Sequence, residues 1–152
     1  LEACRANPKI RLEQFEIVAT DISPSALFVA NAGRYDSAAI SRGLMEDMRD
    51  RYFRKEGNVW VVDDAVKRLV TFRKFNLQDS LDSLGKFDIV FMRYVAIYFA
   101  EDFKRRLFAN VARLLAPNGH LIISAVETLM GISDDFEAMQ HYNGTYHRCK
   151  LS

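Results

Sequence analysis

The chain has 152 residues, of which 49% are hydrophobic and 27% charged, and Lys+Arg at 21 against Asp+Glu at 20 leaves a formal net charge of +1. This balance excludes the large positive field that announces nucleic acid or anionic lipid as a partner, and no apolar run approaches the roughly 20 residues of a bilayer-spanning helix. A chain of this size suits one compact domain; Cys4 and Cys149 stand far apart without a CxxC, and His120, His141 and His147 lack zinc-ligand spacing, so reduced thiols in a cytoplasmic protein and no metal site are expected.

Taken in chain order, "LEACRANPKI" reads as the tail of a helix, and "FEIVAT" (Phe15 to Thr20) as a short strand. "DISPSAL" announces a helix, because Ser23 can cap its free amides and Pro24 suits the first helical position. That helix is expected to run to about Gly33. "RDRYFRKEGNVWVV" holds two β-prone pieces around Glu56-Gly57-Asn58, predicting a hairpin within a small β-subdomain at about 45–67. "LVTFRKF" (Leu69 to Phe75), "FDIVFM" (Phe87 to Met92) and "HLIISA" (His120 to Ala125) are further strands. Between the last two, Phe103, Leu107, Phe108, Val111, Leu114 and Leu115 recur at helical spacing, with Glu101 and Asp102 favouring the dipole and "PNG" at Pro117 to Gly119 stopping the helix. "GTYHRCK" is a final strand candidate, antiparallel after the turn-like "YNG". This alternation argues an α/β fold around a mostly parallel, Rossmann-like sheet.

Ligands of open α/β sheets bind outside the carboxyl ends of the strands. Asp21 follows "FEIVAT", Asn76 and Leu77 follow "LVTFRKF", and Arg93 and Tyr94 follow "FDIVFM". A carboxylate at such a strand end can accept hydrogen bonds from both hydroxyls of a ribose, although Asp21 alone also fits a capping role for the helix at Pro24. Asn76 carries the donor and acceptor that an adenine edge needs, with Leu77 available to pack on the ring, but an Asn after a strand is also an ordinary turn residue. Arg93 alone fits a structural ion pair equally well, and Tyr98 and Phe99 alone read as core or rim aromatics.

Together, "VATDISPSALFVANAGRY", "RYFRKEGNVWVV", "VTFRKFNL", "FDIVFMRYVAIYF" and "LLAPNGHLIISAVETLMG" resemble successive motifs of the CheR-type chemotaxis-receptor glutamate methyltransferases, in order and over nearly the whole chain. The resemblance implies an S-adenosylmethionine-dependent O-methyltransferase, releasing S-adenosylhomocysteine and forming methyl esters on glutamates in the cytoplasmic part of chemotaxis receptors. It implies that Asp21 holds the ribose with Ile22 beside it, that Asn76 and Leu77 face the adenine, and that Arg93 and Tyr94 lie beside the cofactor. Tyr98 matches the family tyrosine near the transferred methyl, so Tyr98 and Arg93 are the catalytic candidates. The hairpin from Tyr52 to Val62 matches the receptor-docking β-subdomain, and its turn "RKEGNV" is shorter than in members that grip a receptor tail peptide.

Two departures stand out. No GxGxxG cluster exists, and counting back about 20 residues from Asp21 puts the expected glycine-rich turn at or before Leu1. The chain is therefore expected to be part of a longer protein, with the first strand and its cofactor loop outside it. A sheet lacking that strand has open edges that invite dimerisation or strand exchange. The second departure is Tyr94, where the family usually has Asn. Two other readings share these features: a dehydrogenase whose NAD ribose is held by Asp21, and a docking module that binds a receptor or regulator without turnover.

Overall fold

The computed structural model describes residues 1–142 and 144–150. The chain divides into two compact units, Leu1–Asn76 and Leu77–Ser152. Among the described residues no helix is long and apolar enough to cross a membrane.

In the first unit a short helix α1 (Glu2–Ala6) precedes strand β1 (Ile17–Asp21). Helix α2 (Pro24–Ala32) starts where its sequence says it should: Ser23 Oγ accepts the Ala26 amide at 3.3 Å and Pro24 fills the first turn. It stops at Gly33, whose φ of 63° is the left-handed conformation that a Cβ disfavours. Strand β2 (Arg34–Asp36), α3 (Ser37–Ile40) and α4 (Glu46–Tyr52) lead into β3 (Phe53–Glu56) and β4 (Val59–Val62), and α5 (Asp64–Lys67) leads into β5 (Val70–Lys74). Strands β3 and β4 form an antiparallel hairpin turning at Gly57-Asn58, with Phe53 opposite Val62 and Glu56 opposite Val59. The hairpin gains a third strand that lies upstream of the 45–67 range: β2 pairs antiparallel with β4, Tyr35 opposite Trp60. Three residues are too few to show a period-two pattern, which is why this strand is not legible locally. Val61 and Val62 of the central strand β4 are buried, and Tyr35 packs edge-on against Phe53 at 6.5 Å.

Strands β1 and β5 pair in parallel, Ile17 with Val70 through Asp21 with Lys74. The pairing continues past the strand ends, since the Phe75 amide donates to the Asp21 carbonyl at 2.9 Å. Asn76 therefore leaves the sheet beside Asp21.

The second unit is built on β6 (Phe87–Phe91), α6 (Glu101–Leu114), β7 (Leu115–Ile122), β8 (Phe136–His141) and β9 (Gly144–Cys149), in the sheet order β6-β7-β9-β8. Strands β6 and β7 are parallel; β9 runs antiparallel to both β7 and β8. Helix α6 follows the spacing read from sequence, burying Leu107, Phe108, Val111, Ala112 and Leu114 and turning its charged residues outward, with Arg105 on Glu101 at 2.5 Å. It ends at Leu114 because Leu115 takes an extended conformation and pairs with Phe87.

"PNG" thus sits inside β7 rather than beyond the helix, as an irregularity between the Phe87–Leu115 and Ile89–His120 pairs. Gly119 is required there, since a Cβ would meet the Ala116 carbonyl oxygen at 2.8 Å. The anticipated antiparallel strand 144–149 forms, and its partner β8 was not foreseen. "FEAMQH" sets three polar or charged residues, Glu137, Gln140 and His141, beside two large apolar ones, Phe136 and Met139, as an edge strand allows. Asn143 of the "YNG" turn lies outside the described residues.

Candidate active site

The first unit brings together three of the candidates. Asp21 ends β1, Ile22 follows it with its side chain exposed, and Asn76 follows the adjacent parallel strand β5. The Asp21 carboxylate is exposed and already engaged through one oxygen: Oδ1 accepts the Ser23 amide at 2.8 Å. The capping role belongs to Ser23, so Asp21 shapes the turn into α2. Such a carboxylate fits the paired hydroxyls of a ribose, and a half-buried Asn on the neighbouring strand end fits an adenine edge.

The same unit also contains a cavity of about 380 Å³ lined by residues such as Ala30, Ile40, Phe53, Val62 and Phe72, with Lys67 among them. Its walls are apolar and its one ammonium is paired with Asp64 at 2.7 Å. It lacks the convergent polar groups of a ligand site.

In the second unit Leu77 is half-buried, and Arg93, Tyr94 and Tyr98 share the loop after β6. The Arg93 guanidinium lies over the Tyr94 ring, 5.6 Å from its centre. Tyr98, in the 3-10 turn Ala96–Tyr98, is 80% exposed. It is therefore not a core aromatic, unlike the half-buried Phe99, which packs edge-on against Phe103 at 4.7 Å. Tyr94 has φ 59°, a left-handed conformation uncommon for a bulky residue and much easier for Asn. The Asn usual at this position in the resembled family is thus explicable by backbone geometry.

One candidate residue escaped the sequence reading. Glu127 lies beyond the carboxyl end of β7, inside a quoted motif but without a role. Its Oε2 accepts the Tyr94 amide at 3.0 Å, the Ser124 amide at 3.0 Å and the Ser124 hydroxyl at 2.6 Å. Burial pushes the Glu127 pKa up, but the Ser124 hydroxyl and amide, with the amides of Tyr94 and Ala96, outweigh it and hold the carboxyl below its ordinary range. The available signal was its position, since a carboxylate just past a parallel strand stands where such sheets bind ligands.

A family model described as the CheR methyltransferase, SAM binding domain, matches residues 3–145. Over 136 residues the chain is 43% identical to chemotaxis protein methyltransferase Cher2 of Pseudomonas putida, covering 89% of this chain and 50% of that protein. It is 42% identical over 151 residues to chemotaxis protein methyltransferase 1 of Vibrio cholerae, covering 99% of this chain and 54% of that protein. It is 32% identical over 133 residues to the chemotaxis protein methyltransferase of Borreliella burgdorferi, covering 86% and 45%. The chain spans about half the length of the curated relatives it matches.

Proposed function

This chain belongs to the CheR methyltransferase family of S-adenosylmethionine-binding domains, and on that premise we propose that its protein methylates glutamate side chains of chemotaxis receptors. The observation that supports this most is the family match over residues 3–145, joined to the placement of Asp21 and Asn76 at the carboxyl ends of two adjacent parallel strands. The cofactor contacts are part of the same proposal: Asp21 holds the ribose with Ile22 alongside, Asn76 and Leu77 face the adenine, and Arg93 and Tyr94 lie beside the cofactor. We further propose that residues 1–152 belong to one catalytic domain, in which the small sheet of β2, β3 and β4 meets the receptor in the cytoplasm.

When bound, S-adenosylmethionine supplies a methyl group already activated by its sulfonium. An ionised glutamate is already a usable nucleophile, so the protein's task is alignment and exclusion of water, with no general base required. Tyr98 presents its exposed hydroxyl to orient the acceptor carboxylate. Arg93 contributes a charged donor that favours the carboxylate's entry. The family assignment favours methyl transfer over the hydride transfer of a dehydrogenase.

The test is transfer of labelled methyl from S-adenosylmethionine to receptor-bearing membranes by the full-length natural protein, read as base-labile methyl ester. Label appearing in esters, and falling by at least about tenfold in Tyr98→Phe and Arg93→Ala, is the expected result. Absence of transfer from a cofactor-saturated wild type would refute the reading and favour a docking module that does not turn over.

A further inference from the structure

The loop after β6 is seated at Ala96, which is 3% exposed and whose carbonyl accepts the Phe99 amide at 3.1 Å, but its start at Arg93 and Tyr94 is exposed. Within residues 93–98 its own backbone bonds are few, the Tyr98 amide reaching the Val95 carbonyl at 3.4 Å, and Tyr94 sits at φ 59° against its steric preference. A loop carrying both Arg93 and Tyr98 in such a conformation needs an external anchor. The anchor comes from β7: Glu127 Oε2 takes the Tyr94 amide, and the same oxygen takes both donors of Ser124. Ser124 is 2% exposed, so the carboxylate is itself fixed from a buried base. Among the described residues Glu127 Oε1 is buried without a hydrogen-bond partner.

We propose that Glu127 is a positioning residue, which clamps the backbone of Tyr94 to the end of β7 and so sets the placement of Arg93 and Tyr98 for methyl transfer. The proposal rests on the methyltransferase reading above. Clamping Tyr94 also fixes the ring under the Arg93 guanidinium, so one carboxylate governs both the charged donor and the approach to the turn that carries Tyr98. The arrangement uses charge-assisted hydrogen bonds, the strong class, at the point where the backbone is least comfortable.

The experiment compares wild type, Glu127→Gln and Glu127→Ala in the full-length natural protein, measuring amide hydrogen exchange and methyl transfer together. The expected result is exchange at Tyr94 and Ser124 faster by at least about tenfold in Glu127→Ala, while α6 amides keep their protection and report an intact fold. Methyl transfer falls by a similar factor in kcat, and Glu127→Gln, which keeps an acceptor oxygen, recovers part of both effects. Unchanged exchange at Tyr94 in both variants would overturn the clamp. Faster exchange with undiminished turnover, or a kcat loss that Glu127→Gln does not partly recover, would overturn the positioning role. If Glu127→Ala loses α6 protection, the comparison of Glu127→Gln with wild type decides by the same two readouts. A wild type that transfers no methyl refutes the functional reading instead and is distinguishable, because the exchange comparison still reports whether Glu127 holds the loop.

Discussion

Ser23 donates its backbone amide to Asp21 Oδ1 at 2.8 Å, which commits one oxygen of this carboxylate to the turn between β1 and α2. The turn-shaping contact of Asp21 and the hold on a ribose that we propose for it are therefore separable by substitution. Asp21→Asn keeps an acceptor oxygen for Ser23 but removes the charge. It is expected to leave the urea midpoint near that of wild type while weakening S-adenosylmethionine binding by about tenfold or more in calorimetric titration. Asp21→Ala also loses the turn and is expected to cost about 1 kcal/mol of stability in addition. Equal cofactor affinity in Asp21→Asn and wild type would remove Asp21 from the binding set.

Tyr94 at φ 59° suggests a stabilising substitution. Tyr94→Asn places a residue tolerant of the left-handed region there and leaves the backbone amide free to reach Glu127, so it is expected to raise stability by about 0.5–1 kcal/mol in urea titration. A loss of stability would mean that the Tyr94 ring beneath Arg93 contributes more than the backbone strain costs.

Phe108, Val111 and Leu121 are sealed from solvent in the second unit. Phe108→Ala is expected to cost about 3–5 kcal/mol, the range for a large aromatic removed from a packed core. Circular dichroism during urea unfolding measures it, and a change under 1 kcal/mol would show that α6 packs loosely.

Acid should destabilise the protein in a defined window. Folding lowers the pKa of Glu127 below its ordinary value of 4.5, as the hydrogen bonds to Ser124, Tyr94 and Ala96 outweigh the upward push of burial. The same direction holds for Glu2, chiefly through the Tyr52 hydroxyl, for Asp50 through Arg49, for Glu56 through Arg54 and for Asp64 through Lys67. The unfolded chain therefore binds more protons than the folded one below the ordinary carboxylate range. Stabilisation from these groups is present above about pH 4.5 and disappears as pH falls through the lowered folded values. Urea midpoints measured from about pH 7 down to about pH 3 should hold and then fall, and the Glu127→Gln variant should show a shallower fall.

What the sequence by itself determined is the set of locally encoded features: the Ser23-Pro24 start and Gly33 stop of α2, the α6 periodicity, the four strands ending near Asp21, Asn76, Arg93 and Ala125, and the hairpin at Gly57-Asn58. Each follows from neighbours within one turn or one strand, where caps, periodicity and turn residues act without help from the rest of the chain. The tertiary structure alone decided the pairing of β2 with β4, the irregular stretch around Gly119, the left-handed Tyr94 and the clamp by Glu127 across 33 residues of sequence. A carboxylate recruits whatever donors the folded strands bring within 3 Å of it, and that proximity is a property of β6 lying beside β7, not of the residues adjacent to Glu127 in the chain.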